Sequence, residues 1–417
     1  MREAYVVGIS TTKFGKLSDR SIKSLTAEAV EKALQDAGLK KEDIQAAWFG
    51  NGTWGVWHDQ HSIRGQVALR PLGIDRIAIT NVENACATGA TAFHGAWTSV
   101  AAGLYEVAMA IGVEKLYYPD KAKVFWTMGL GVDMEERANL FKIMQQMGQD
   151  QAAPGQRIEE MPAADKDKSG FMDIYGGMAR RYMSKYGITQ RQLAVICSKN
   201  HYHGSLNPNS QYQNEISVEE VLADKLISYP ITRAMCAPIG DGAAAAIICS
   251  KEFLKKIQNV RPVKILASVL GSGMAASFDD EEHCGMTLAA QKAYEAAGVG
   301  PEDINLAECH DATAMGELLI TEEIGLCPRG QGGPLAESGA TTLGGRLPVN
   351  VSGGLESKGH PVGATGLSQI HELVTQLRGE AGPRQVEGAR IALAENGGGF
   401  LGQQEAAIAI HIFEKMS

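Results

Sequence analysis

Apolar strand-like runs and amphipathic helix-like stretches alternate from residue 1 to about 118, and that alternation predicts an α/β layer. Met1–Ile9 reads as a first strand. Glu31–Ile44 reads as the end of an amphipathic helix, a glycine stop at Gly38, a short acidic turn, and then the strand Gln45–Gly50. From Tyr118 to about Lys168 the alternation breaks into a Met- and Gln-rich stretch that includes Phe141–Asp150. We read it as part of a loop domain inserted into the first half. Its methionines could line an acyl pocket, although ordinary helix packing is the commoner use of that residue. Residues 170–230 read as mostly helical, Asp241–Cys249 as a buried strand closing the first half, and the second half begins near Val263.

The pattern is duplicated. Lys32, Ala33, Ala37, Gly38, Glu42, Asp43 and Ile44 match Lys292, Ala293, Ala297, Gly298, Glu302, Asp303 and Ile304 at one constant offset. Carried forward, that offset sets His310-Asp311 where the first copy has Gly50-Asn51. A second match is chemical: Cys86-Ala-Thr-Gly89-Ala-Thr in the first half and His360-Pro-Val-Gly363-Ala-Thr in the second. Each follows a strand-like run, Arg76–Val82 and Leu347–Val351, and precedes small residues, so both side chains are expected where a strand turns into a helix. Halves related by a pseudo-twofold axis would let Cys86 and His360 meet.

Composition narrows the function classes. A length of 417 residues with 44% hydrophobic content supports a sizeable core, and a net charge of -9 offers no basic stripe for tracking a nucleic acid. Local basic pairs, Lys121 with Lys123 and Arg180 with Arg181, could meet the phosphates of a small ligand, but solvated helix faces are the simpler reading. No apolar run reaches membrane-spanning length, and the amino terminus does not read as a signal peptide. Seven cysteines without paired spacing suit a reducing compartment and show no metal-binding pattern. With no peroxisomal address at the carboxyl end, a cytoplasmic location is expected.

The Cys86 loop, Pro238–Ala245, His310-Asp-Ala312, the block Gly353–Gly366 and Asn396–Gly399 stand in the order found in thiolases. With Lys199-Asn-His201 and Asn207-Pro, the chain most resembles the sterol-carrier-protein-x and archaeal-type branch, over essentially its whole length. The resemblance implies a five-layered α-β-α-β-α thiolase fold: residues 1–118 and 231–260 as the N-terminal half, 119–230 as the inserted loop domain, and 261–417 as the C-terminal half. It also implies a homodimer, CoA as co-substrate with no permanently bound cofactor, and a small zinc-ribbon and OB-fold partner subunit.

By that resemblance Cys86 attacks a 3-oxoacyl-CoA and keeps the acyl chain as a thioester, while His360 activates it. The helix dipole and the imidazole are expected to lower the thiol's pKa. His310 would hold the thioester oxygen. Gly398 would supply an oxyanion-hole amide together with that of Cys86, and Asn396 beside it would contact substrate. One departure stands out: thiolases carry a second catalytic cysteine, but Asn396 and Ala312 occupy its two usual places. Cys309 should point away from His310 by strand alternation. Cys284 and Glu356 are weak replacements. The leading reading is thiolysis or its reverse, a Claisen condensation, of a substrate such as benzoylsuccinyl-CoA or another 3-oxoacyl-CoA. Retro-aldol cleavage of a β-hydroxyacyl-CoA and a non-catalytic acyl-CoA-binding subunit are the alternatives.

Overall fold

The structure is a computed structural model that describes residues 1–136, 139, 168–274, 280, 284–402 and 404–416. The first half contributes β1 (Ala4–Thr11), β2 (Ala46–Gly50), β3 (Ala78–Val82), β4 (Val107–Glu114), a small ribbon of β5 (Leu226–Ser228) and β6 (Ile231–Thr232), and β7 (Gly242–Ser250). The second half contributes β8 (Val263–Ser272), β9 (Leu306–Glu308), β10 (Ile391–Leu401) and β11 (Gln404–Lys415). Nine of these strands hydrogen-bond in the order β3-β2-β4-β7-β1-β8-β11-β10-β9.

That order is one unit written twice, outward from the middle. In the first half β1–β7 and β7–β4 are antiparallel, whereas β4–β2 and β2–β3 are parallel. The second half repeats this with β8–β11 and β11–β10 antiparallel and β10–β9 parallel. In the main sheet the halves join where β1 and β8 pair antiparallel, at Tyr5–Lys264 and Val6–Val263. The helices obey the same offset. Ile22–Ala37 ends at Gly38 (φ 63°) and Gly285–Ala297 ends at Gly298 (φ 71°). In the turns that follow, Asp43 and Asp303 accept the backbone N–H of Lys40 and Gly300, each at 2.8 Å.

Period-two alternation sorts the strand residues into layers. Ala108 and Ala110 of β4, Ala244 and Ala246 of β7 and Phe413 of β11 pack inward on helices Thr88–Ala101 and Thr365–Arg378. Their neighbours Met109, Ile111, Ala245 and Ile247 pack outward on Ile22–Ala37, while Ile408, Ile410 and Ile412 pack outward on Gly285–Ala297. The result is helix, sheet, paired helices, sheet, helix. A further apolar cluster joins helices Phe171–Tyr186 and Gln190–Ser205 to Ala314–Glu323. Among the described residues no helix is long and apolar enough to cross a membrane. The methionine-rich stretch Phe141–Asp150 lies outside the described residues.

The paired central helices touch backbone to backbone. A Cβ at Gly366 would sit 2.5 Å from the Ala90 nitrogen. Gly366→Ala should therefore push the helices apart and cost about 1–3 kcal/mol, measured by urea denaturation. An unchanged midpoint would show that the contact is slack.

One expected strand shortens. Of Leu347–Val351 only Val349 pairs, through a parallel bridge to Ala307, where the first half has the full β2–β3 ladder. Pro348 has no N–H to give, and Asn350 turns left-handed (φ 56°) while its side chain accepts the Cys309 N–H and donates to Glu317.

Candidate active site

β3 and the helix Thr88–Ala101 are joined by a tight turn that presents Cys86. Ala85 takes φ 46°, a left-handed conformation that costs a non-glycine residue about 1–2 kcal/mol. Local hydrogen bonds hold it there. The Ala85 N–H donates to Glu83 at 2.6 Å, the Thr88 hydroxyl donates to the Ala85 carbonyl at 2.6 Å, and the Asn84 N–H donates to that hydroxyl at 2.9 Å. Strain concentrated beside a nucleophile candidate is the kind that functional sites retain.

His360 arrives from the second half, after a single wide turn of helix at Gly354–Lys358 and before Thr365–Arg378. Its Nε2 lies 3.2 Å from Cys86 Sγ and its Nδ1 lies 2.7 Å from the Thr365 hydroxyl. That hydroxyl donates its proton to the Pro361 carbonyl at 3.1 Å, so its oxygen accepts from Nδ1–H. In that tautomer Nε2 carries a lone pair facing the thiol.

His310 follows β9, and its ring centroid lies 5.2 Å from that of His360. Glu395 of β10 fixes its backbone by accepting the His310 N–H at 2.9 Å. Both ring nitrogens of His310 are buried without a hydrogen-bond partner, which leaves them for a ligand. Its Nδ1 is 3.9 Å from Oε1 of Glu405, at the start of β11.

Cys86, His310, His360, Gly398 and Glu405 line one cavity of about 390 Å³, whose apolar wall includes Met128, Leu130, Phe171, Met172, Tyr175 and Phe400. The amides directed at the Cys86 sulfur are those of Gly399 and of Cys86 itself, one residue beyond Gly398. Asn396 lies outside the lining, buried in β10 opposite Ala409. Cys309 packs in the outer layer. Cys284 lines a smaller adjoining cavity with Glu323 and Glu405, and Glu356 is buried, accepting from Asn200 at 3.2 Å. Arg180 is buried and donates to the Tyr229 carbonyl at 2.6 Å, so it does not meet a ligand phosphate.

The electrostatics reverse one expectation. Burial, reinforced by the charge of Glu405, pushes the Cys86 thiol up to about 12 rather than down. Burial, with His310 and Lys358 nearby, holds His360 well below the ordinary histidine value, and burial pushes His310 down to about 4. The resting pair is therefore a neutral thiol facing a neutral imidazole. Because the thiolate fraction grows with pH everywhere below that raised pKa, alkylation of Cys86 by iodoacetamide should quicken roughly tenfold per pH unit between about pH 6 and 9. A rate already level below about pH 7 would reveal a thiolate–imidazolium pair instead.

Residue reading alone missed Glu405, Thr365 and Gly399. Cys86, His310 and His360 also present ligand atoms within 4.8 Å of one another, so a soft cation such as zinc could occupy this site in competition with substrate.

With this geometry in hand, likeness to known proteins becomes informative. Residues 4–252 match the family model for the thiolase N-terminal domain, and residues 273–411 match the thiolase C-terminal domain-like model. The chain is 37% identical to an acetyl-CoA acetyltransferase of Methanothermobacter thermautotrophicus, over 100% of both chains. It is 38% identical to human sterol carrier protein 2, over 95% of this chain and 70% of that one. Identity to the benzoylsuccinyl-CoA thiolase subunit BbsB of Thauera aromatica is 34%, over 95% of each. Among solved structures, an Ltp2-ChsH2(DUF35) aldolase superposes with a TM-score of 0.75 at 24% identity, covering 98% of this chain and 97% of that one. The Acat5 thiolase from Ascaris suum in complex with coenzyme A gives 0.67 at 17%, covering 100% of both. At those identities the two structures speak to the fold alone. The duplicated five-layer architecture and the two domain matches agree, and this chain belongs to the thiolase family.

Proposed function

We propose that this protein is a thiolase that cleaves a 3-oxoacyl-CoA with CoA, or runs the reverse condensation, through an acyl-enzyme on Cys86. The observation that carries the reading is the 3.2 Å contact between Cys86 Sγ and His360 Nε2. On substrate binding, the thiol proton passes to Nε2 as sulfur attacks the C3 carbonyl. The amides of Cys86 and Gly399 point at the sulfur and so lie beside the oxyanion that forms there. The neutral His310, unpartnered and facing the same cavity, would donate to the thioester oxygen. Retro-aldol cleavage and a purely binding role would leave this nucleophile pair without work.

CoA and acyl-CoA are the small-molecule partners in this reading. The BbsB relative is named as a subunit and the aldolase structure pairs its chain with a DUF35 protein, which supports a small zinc-ribbon and OB-fold partner here. A homodimer and a cytoplasmic location complete the proposal, the latter supported by seven free cysteines. Thiolysis of a panel of 3-oxoacyl-CoAs, run with and without a small zinc-ribbon and OB-fold protein, tests it. CoA-dependent multiple turnover with release of an acyl-CoA is the expected result, and multiple turnover that proceeds without CoA would point to the aldolase instead.

A further inference from the structure

Breaking the C2–C3 bond of a 3-oxoacyl-CoA leaves an electron pair on C2, and that carbon must receive a proton. The thiol proton is already on His360 at that moment, so a second proton carrier is needed, and neither Asn396 nor Ala312 can serve.

We infer that Glu405 is this second acid/base, moving the proton at the substrate α-carbon. The inference rests on the thiolase reading above. Glu405 lines the same cavity as Cys86, His310 and His360, and its Oε1 is 3.9 Å from His310 Nδ1. Among the described residues no donor hydrogen-bonds its carboxyl, and its side chain keeps 17% exposure. Room for the carboxyl is built in, since a Cβ on Gly397 would meet Glu405 Oε1 at 2.0 Å. At the start of an otherwise largely apolar strand, β11 thus carries a carboxyl that lines the nucleophile's cavity.

The groups around Glu405 suit the task. Glu395 on β10 and Glu323 on the helix Ala314–Glu323 add their negative charge to the burial that raises its pKa well above the usual carboxylate range. Tyr175 and Cys284 face it across the smaller cavity, while His310 and Cys86 face it across the larger one. A carboxyl whose pKa is raised in this way is suited to give up a proton and take it back.

The steps balance. Cys86 sulfur bonds to C3 and its proton goes to His360; the C2–C3 bond breaks; C2 takes the Glu405 proton, releasing acetyl-CoA and leaving a carboxylate. The carboxylate then accepts the proton of an incoming CoA thiol, whose sulfur attacks the acyl-enzyme. Cys86 leaves as thiolate and recovers its proton from His360.

Glu405→Gln, assayed with acetoacetyl-CoA and CoA, should lose about 10²–10⁴-fold in kcat while iodoacetamide still alkylates Cys86 at least as fast as in the wild type. The variant should also fail to wash solvent deuterium into the methyl group of acetyl-CoA, an exchange the wild-type enzyme performs. Turnover and exchange within about threefold of wild type would overturn the inference. If Cys86 alkylation is lost too, Glu405→Asp decides: recovery of both activities supports the carboxyl's role, and their continued loss refutes it. A wild-type protein that cleaves no 3-oxoacyl-CoA would instead sink the thiolase reading itself.

Discussion

Cys86→Ser should leave a folded protein whose thiolysis is reduced by roughly 10⁴-fold or more, as for loss of a covalent nucleophile elsewhere. Folding should survive because the substitution keeps the small volume of the side chain and a hydroxyl that can donate to His360 Nε2 at the 3.2 Å contact now made by sulfur. The turn itself is held by Glu83, Asn84 and Thr88, none of which the change touches. Reactivity should not survive. A serine hydroxyl is a far weaker acid than even a thiol raised to about 12, and an imidazole held well below its ordinary value is a weak base for it. Substrate binding should change little, so the loss should appear in kcat, with KM within a few fold. A variant that keeps full thiolysis would remove the acyl-enzyme from the mechanism.

His360→Ala is the second large effect, with kcat expected to fall about 10²–10⁴-fold. Here the loss has a different origin. Cys86 remains, but its proton has no acceptor at neutral pH, and burial still opposes the thiolate. Raising the pH should therefore restore part of the activity in this variant and none in Cys86→Ser. Thr365→Val should act in the same direction and more weakly, since it frees the Nδ1 proton that fixes the tautomer while leaving the imidazole in place. If His360→Ala showed the pH profile of wild type, the imidazole would not be the base.

How much of this was legible in the sequence follows from what kind of constraint each residue obeys. The duplication was readable because both copies end a helix with a left-handed glycine and cap the next turn with an aspartate, and those jobs admit few residues. Cys86 and His360 were readable because the two copies differ there and agree around them. The run Leu347–Val351 misled, because its alternating apolar residues fit a strand while Pro348 lacks an N–H for a ladder and Asn350 serves the buried network around Glu317.

The direction of the thiol's pKa was hidden for a similar reason. A helix terminus is visible in a sequence, but burial and a carboxyl contributed by β11 are not. Glu405 did leave a trace. It opens a run, Ala406–Phe413, that is apolar but for His411, so an acid there stands out. Only the paired register of β10 and β11 brings it to the cavity. Gly398 and Gly399 could not be told apart by composition, since which amide faces the sulfur depends on the twist of one hairpin.

The most direct measurement is the mass of the peptide containing Cys86 after the protein is mixed with a 3-oxoacyl-CoA in the absence of free CoA and quenched with acid. The account predicts one acyl group on Cys86, removed when CoA is added before the quench. Cleavage of the substrate with Cys86 unmodified at every time point would contradict it.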